Sequence, residues 1–309
     1  MSQSDCFVIE DGVLKEYNAN VQIVIPEGVR EIGDEAFSCF LNIVSVTLPE
    51  GLERIGERAF YMCGRLKSIN IPESVKEIGA SAFRGCCKLS MITQPTENAV
   101  LGDDAFRDCT GLIDKDGFLI VGNVLYGYFG SDDYVVVPQG VKKIGRNAFS
   151  GNTSVNTQEL FIQEHIKTVV LPDGLEEIGR YAFEFCSSLK DISLPKSVKN
   201  IEDAAFFGCK QLADENGFVS MGGVLFDYFG GLSEVIISDG VTRISGHAFD
   251  NNDSIQRVTL PESVKSIGSD AFIDCSNLVC VDLPKGEISI AKDAFCFCDC
   301  FLTQNGKRI

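Results

Sequence analysis

The stretch "LKSINIPESVKEIGASAFRGCCK", residues 66–88, decides how the rest of the chain is read. "LKSINIP" alternates apolar and polar residues around Ile69 and Ile71, the pattern of a short strand with one face inward. Pro72 stops it, because a residue without an N–H cannot continue a ladder. "VKEIG" is a second short apolar segment, turned at Gly79. Ala82 and Phe83 then enter the interior, and a small-residue turn leads to Leu89. A unit this short cannot bury its apolar side alone. It needs copies of itself, stacked so that each strand pairs with its neighbour at about 4.8 Å.

Those copies are present. Ala-Phe recurs ten times, ending at Phe37, Phe60, Phe83, Phe106, Phe149, Phe183, Phe206, Phe249, Phe272 and Phe295. The intervals are 23, 23, 23, 43, 34, 23, 43, 23 and 23, a 23-residue unit with one 11-residue and two 20-residue insertions. All nine prolines stand 11 residues before one of these phenylalanines, and Ser238 takes the place in the remaining copy. Cys63, Cys86, Cys109, Cys186, Cys209, Cys275 and Cys298 each follow their Phe by three, with Asn152 and Asn252 in two further copies and Phe40 in the first. Such a column reads as stacked, buried small residues whose thiols act as compact hydrophobes and weak donors.

The pattern LxxIxLPxxVxxIGxxAFxxCxxL resembles the leucine-rich repeats of the BspA and Treponema pallidum type, over nearly the whole chain. It departs from the commoner leucine-rich repeat in placing the Cys three residues after Phe. The resemblance implies a right-handed, β-rich leucine-rich-repeat solenoid of ten repeats of about 23 residues. It also implies binding to other proteins or host surfaces rather than catalysis.

The 20-residue insertions repeat as well. "FLIVGNVLYGYFG" (118–130) aligns with "FVSMGGVLFDYFG" (218–230), and "FVIEDGVLKEY" (7–17) fits the same frame. Asp11-Gly12, Gly122-Asn123 and Gly222-Gly223 are turn pairs of tight β-hairpins. The chain therefore reads as a single solenoid in three blocks, 5–111, 112–211 and 212–309, each opening with a hairpin. Tyr126, Tyr128 and Phe129, with Phe226, Tyr228 and Phe229, are expected to pack on the solenoid wall; exposed, they would anchor a partner instead.

Composition narrows the function. A net charge of −17, from 44 acidic and 27 basic residues, disfavours nucleic acid and anionic membranes, which need clustered Lys and Arg. No apolar run reaches the roughly 20 residues that span a bilayer. The N-terminus lacks a basic region followed by an apolar one, so the expected compartment is the cytoplasm, with the cell surface or secretion as the alternative if a leader lies upstream. Thirteen cysteines, an odd number, favour reduced thiols over a disulfide framework.

Chemical motifs do not survive the repeat. "DKDG" (114–117) is followed by Leu119 and Val121 where calcium ligands would stand. Cys296 and Cys300 flank the column residue Cys298 in "DAFCFCDC", but no histidine lies near, and zinc sites favour paired CxxC ligands. Neither His165 nor His247, which sits in a variable surface position, has catalytic company. No cofactor, metal or catalytic residue is assigned. The charged pairs Arg30-Glu31, Glu53-Arg54, Lys76-Glu77 and their equivalents should form cross-strand ladders on a solvated face.

The first strand supplies the binding candidate. Its outward positions include Thr47, Asn70, Thr93, Ser193, Thr259 and Asp282, a small polar column on the face that is concave in leucine-rich repeats generally. Exposed strand positions also favour Thr for its own sake. Phe161 and His165, in the 11-residue insertion near 156–166, are further candidates, since solenoid insertions often lie on a binding face. The expected protein is a monomeric, non-catalytic scaffold that binds a protein partner through this face. A cell-surface adhesin or matrix-binding protein is the alternative, and an enzyme the remote one.

Overall fold

The computed structural model describes residues 7–17, 22–93, 99–150 and 164–309. They form two compact units. The first holds the described residues up to Gly130 together with Gly140–Ala148, and the second holds Ser131–Gln139 and the described residues from Phe149 onward.

In the first unit each repeat contributes two strands to two separate parallel ladders. The first ladder runs Gln22–Val24, Ser45–Thr47, Ser68–Asn70 and Met91–Ile92, with Ile23, Val46, Ile69 and Ile92 in register. The second ladder stacks Glu31–Ile32, Arg54–Ile55, Glu77–Ile78 and Val100–Leu101, again one repeat apart. Inward residues of both ladders are buried, or half-buried at Ile92 and Leu101, and their neighbours are half-buried or exposed, which is the alternation of the sequence made physical. Gly79 closes the second strand where the chain presses on the preceding coil. A Cβ there would lie 2.6 Å from the Glu57 nitrogen.

The Ala-Phe corner forms the third side. Because coils repeat at the strand spacing, the same ring recurs at nearly the same distance. Phe37, Phe60, Phe83 and Phe106 stack with centroids 4.9, 5.1 and 4.9 Å apart and planes within 12°. Each column cysteine donates its thiol proton to the Phe carbonyl of the preceding coil: Cys63 to Phe37 at 3.0 Å, Cys86 to Phe60 and Cys109 to Phe83 at 3.1 Å. Those carbonyls sit in a dry core, where an unpaired acceptor is costly.

Two residues per corner take the left-handed conformation, just before Ala and two after Phe: Glu35 and Cys39, Arg58 and Met62, Asp104 and Asp108. A non-glycine residue there costs about 1–2 kcal/mol. The conformation turns its N–H toward the next coil. Cys39 donates to Tyr61 O at 2.7 Å and Met62 to Arg84 O at 2.8 Å, so inter-coil bonds offset the strain.

The hairpins do not hang off the solenoid. Val13–Tyr17, after pairing antiparallel with Phe7–Glu10, lies parallel to Glu31–Ile32 as a rung of the second ladder. Val124–Tyr128 does the same against Lys143–Ile144, and Val224–Tyr228 against Arg243–Ile244. This corrects the expected count of ten repeats: the β-solenoid has about 12 turns, and hairpin strands that carry no Ala-Phe serve as second-ladder rungs among them. The C-terminal strand Phe301–Gln304 adds a further rung, to the first ladder.

The second unit repeats the plan. Tyr134–Val136, Thr168–Val170 and Asp191–Ile192 form one first-strand sheet. Glu234–Ile236, Arg257–Thr259, Cys280–Leu283 and Phe301–Gln304 form another, closed by Lys307–Arg308 running antiparallel. Phe149, Phe183 and Phe206 stack, as do Phe249, Phe272 and Phe295, at 4.8–5.1 Å. The hairpins at 118–130 and 218–230 each end a stack with a ring turned on edge, Tyr126 against Phe106 at 67° and Phe226 against Phe206 at 69°.

Candidate functional site

The outward positions of the first strand form two surfaces, one in each unit. In the first, Thr47 pairs with Asn70 across adjacent strands and both side chains are exposed. Thr93 continues the column with its hydroxyl committed. It accepts from the Ile71 N–H at 2.7 Å, and its own proton faces Asn70 Oδ1 at 2.9 Å and Ile71 O at 3.0 Å. The hydroxyl extends the ladder where the strand Met91–Ile92 has ended. A shallow groove of about 610 Å³ lies over this surface, floored by the column and its neighbours Ser45, Ser68 and Met91.

In the second unit Ser193 is exposed beside Val170, over a groove of about 340 Å³. Thr259 and Asp282 are adjacent in their own sheet, and the Thr259 hydroxyl donates to Asp282 at 3.3 Å. Partial burial would raise the Asp282 pKa, but the Arg257 fork at 2.7 and 3.0 Å and the Thr303 hydroxyl outweigh it and hold the carboxyl below its usual range. His165 is exposed, and Phe161 lies outside the described residues.

Three residues of this face escape a search for polar columns. Val24, Val136 and Ile236 hold the same outward position in the first strand after each hairpin, and they are 52%, 52% and 74% exposed. Each stands on the first strand of its sheet. The signal was available in the sequence, since each lies two residues before Pro26, Pro138 or Ser238. The surface therefore opens apolar in each block and turns polar in the next coil of the first and third, while in the second Val170 (39% exposed) follows Val136 before Ser193.

The other candidate motifs have structural employment. Asp114 caps its turn by accepting from the Asp116 and Phe118 N–H groups at 2.9 Å, and Asp214 does the same for Asn216 and Phe218. Asn252 stands in for a column cysteine, donating to Tyr228 O at 3.5 Å; Asn152 lies outside the described residues. Tyr126, Tyr128, Phe226 and Tyr228 are buried, as expected, and Phe229 is partly exposed. Charged residues of the second strand pair across coils: Arg54 with Glu31 at 2.5 Å, and Glu53 with Arg30 and Lys76 at 2.9 and 2.8 Å. Exposed pairs of this kind contribute about 0–1 kcal/mol each.

The cysteines are free thiols at all twelve described positions. Burial pushes Cys186 and Cys275 up to about 12, so at neutral pH they keep the proton they donate. Cys298 donates to Phe272 O at 2.7 Å, and Cys300, raised by burial to about 11, packs against the terminal core. No group of three or more His, Cys, Asp or Glu side chains among the described residues is placed to hold a metal ion. No helix there is long and apolar enough to cross a membrane.

Short parallel strands on two ladders, a phenylalanine stack and an exposed strand face of mixed polar and aliphatic residues define a β-solenoid of leucine-rich repeats. Residues 3–113, 154–217 and 219–305 match the model of the BspA type Leucine rich repeat region, in six copies, and the chain belongs to that family. Among solved structures it is similar to a leucine rich cell surface protein from Faecalibacterium prausnitzii A2-165, at 26% identity over 94% of this chain and 83% of that one, TM-score 0.40. It is also similar to the T. pallidum leucine rich repeat protein, at 29% identity over 65% and 83%, TM-score 0.41. A third likeness is to the pneumococcal vaccine antigen PcpA, at 21% identity over 97% and 91%, TM-score 0.39. No curated protein matches the chain.

Proposed function

We propose that the chain is a non-catalytic scaffold that binds a protein partner through the outward face of its first strands. The observation that carries this reading is the exposure of Val24, Val136 and Ile236 at equivalent places on three edge strands, followed by small polar residues after Val24 and Ile236 and by Val170 and then Ser193 after Val136. Aliphatic side chains that open a flat polar sheet offer an apolar anchor with a hydrogen-bonding surround, the composition of a protein interface. Family membership supports the scaffold, and the grooves over both surfaces supply relief for side chains. The partner is a protein rather than nucleic acid, since the acidic chain lacks the cationic surface that phosphates require.

The same reading takes the chain as a monomer in a reducing compartment, where Cys39, exposed and unbridged, persists as a thiol. An adhesin at the cell surface is the competing reading, and protease shaving of intact cells separates the two. The face itself is tested by affinity capture from the source organism with the wild type and with a Val24→Glu/Thr47→Arg/Asn70→Glu variant. Loss of a saturable partner from the variant supports the reading, and recovery of the same partners by both removes this face from consideration.

A further inference from the structure

The hairpin at 218–230 interrupts the first ladder of the second unit. In a regular coil the residue after the Leu of the CxxL step donates to the coil before it, as Lys190 does to Lys167 O at 3.0 Å. After Leu212 the chain turns away instead. Ala213 N–H donates to Lys210 O at 3.2 Å, and Asp214 N–H to Phe218 O at 3.0 Å. The hairpin then supplies a rung to the second ladder and none to the first. Asp191–Ile192 is left as the last strand of its sheet, and Glu234–Ile236 opens the next.

The coil at 189–201 thus lacks the strand and Pro turn that would cover it. Ile192, Leu194, Pro195 and Val198 are all half-buried. Every other described residue at the Leu194 position is buried, from Val137 at 0% to Leu171 and Leu283 at 7% exposure. At the Val198 position Leu52, Val75, Leu175 and Val264 are exposed by 0–1%. Over these residues lies a notch of about 390 Å³, walled by the hairpin turn at Gly222 and by Ile201, Val224 and Arg243.

The rim of this notch is basic where other turns are acidic. In six copies the residue after the turn Pro, or after Ser238, is an acid: Glu27, Glu50, Glu73, Asp173, Asp239 and Glu262. Here it is Lys196, which is exposed. Residues at this place meet from coil to coil, since the Lys285 N–H donates to Glu262 Oε2 at 3.1 Å. The other cations of the notch are engaged, Lys199 by Glu176 and Arg243 by Asp203 and the Ile201 carbonyl.

We propose that this notch and strand edge take an extended segment of a partner protein in which alternating aliphatic residues run into Leu-Pro and then an acid. The segment lies beside Asp191–Ile192 as the missing rung, with its backbone on the open edge. Its Leu-Pro covers Leu194 and Val198, and its carboxylate meets Lys196. The occupant follows from what covers the same place in the regular coils, which is a stretch of this pattern. The site rests on the reading of the chain as a protein-binding scaffold, and uses none of the outward residues of the first unit.

The probe is a fluorescein-labelled Ser-Val-Thr-Leu-Pro-Glu-Gly-Leu peptide, the sequence of residues 45–52, titrated by anisotropy into the millimolar range. The same peptide is run with Lys in place of Glu, and with Ser-Ser in place of Leu-Pro. The expected result is saturable binding of the first peptide and none of the Ser-Ser form. The Lys form should bind about three- to fivefold more weakly, the scale of an exposed ion pair. Lys196→Glu, a change at an exposed position, should reverse that preference, which loss of folding would not do. Val198→Asp should abolish binding of both peptides, with a circular dichroism melt to check that it folds. Absence of saturable binding, an unchanged preference in Lys196→Glu, or full binding to folded Val198→Asp overturns the proposal. The Val24→Glu/Thr47→Arg/Asn70→Glu variant should bind the peptide as the wild type does, so failure here and failure of the strand face are read separately.

Discussion

The hairpins at 118–130 and 218–230 share a frame and a register, and differ where it costs most. Both pair their strands with the same irregularity after the second residue, Leu119/Ile120 in one and Val219/Ser220 in the other. Both turn an aromatic ring edge-on to the phenylalanine stack. In the first hairpin that ring is Tyr126, whose hydroxyl is buried with no hydrogen-bond partner among the described residues. In the second it is Phe226, which has no hydroxyl to satisfy. The next residue differs too. Tyr128 N–H donates to Ala148 O of the following coil at 2.9 Å, whereas Tyr228 N–H donates to Asp227 Oδ1 at 2.7 Å. Asp227 Oδ2 takes the N–H of Gly208 at 2.8 Å, the left-handed corner residue whose counterparts donate to a backbone carbonyl of the next coil. A hairpin coil lacks that carbonyl. Asp227 replaces it with a carboxylate, and Gly127 replaces it with nothing.

Truncating the edge-on rings should have the largest effect. Phe226→Ala removes a fully buried ring and should cost about 3–5 kcal/mol. Tyr126→Ala should cost about 1–3 kcal/mol less, since it also relieves an unsatisfied hydroxyl. Urea unfolding of both variants measures the difference. Equal losses would mean that the Tyr126 hydroxyl finds a partner in solution and that the two hairpins are energetically alike.

Asp227 should make the second hairpin pH-sensitive where the first is not. Burial, the largest cause, with a smaller push from Asp250, raises its pKa to about 6, while the N–H groups of Gly208 and Tyr228 oppose the rise. A carboxyl whose folded pKa is raised binds its proton more tightly when folded. Its contribution is full below pH about 4 and is lost as pH rises through about 6. A shift of about two units corresponds to roughly 3 kcal/mol. The wild type should lose about that much more stability than Asp227→Asn between pH 4 and pH 7.5, measured as the difference in urea midpoints. Parallel pH profiles would show that the carboxylate is solvated and the site is not dry.

Much of this was legible in residues 66–88. The spacing of Pro, Phe and Cys locates both ladders and the stacked core, because a repeat that must bury one side against its neighbours repeats its inward residues in register. The hairpins were legible from their turn pairs. Their role as rungs was not, because pairing of Leu14, Leu125 and Leu225 with Ile32, Ile144 and Ile244 spans 18 or 19 residues and breaks the 23-residue period. Left-handed corners leave little trace, since most are filled by residues of many types, among them Glu35, Arg58, Asp104 and Phe185, rather than by Gly. A cluster of aromatic rings on the Ala-Phe corner of the second unit was hidden for a related reason. Tyr181, Phe207 and His247 occupy positions the repeat leaves variable, and His247, read from the sequence as filling a variable surface position, has its side chain 25% exposed between Tyr181 and Asp250. Periodicity finds what every coil must share, and passes over what one coil does differently.

The smallest predicted change converts one hairpin toward the other. Tyr126→Phe deletes a single oxygen from a buried ring and leaves its edge-on contact with Phe106 intact. Removing a polar group that lacks a partner returns its desolvation penalty, about 1–2 kcal/mol, so this substitution should stabilise the protein. The reciprocal Phe226→Tyr should destabilise by a similar amount, since that site contains only the space and polarity of a phenyl ring. Thermal melts of the two variants and their double mutant check the signs. The double mutant should return close to the wild-type midpoint, because the sites share no partners and their effects should add. A destabilised Tyr126→Phe would mean that the hydroxyl is bonded in solution, and the polarity difference between the hairpins would then rest on Asp227 alone.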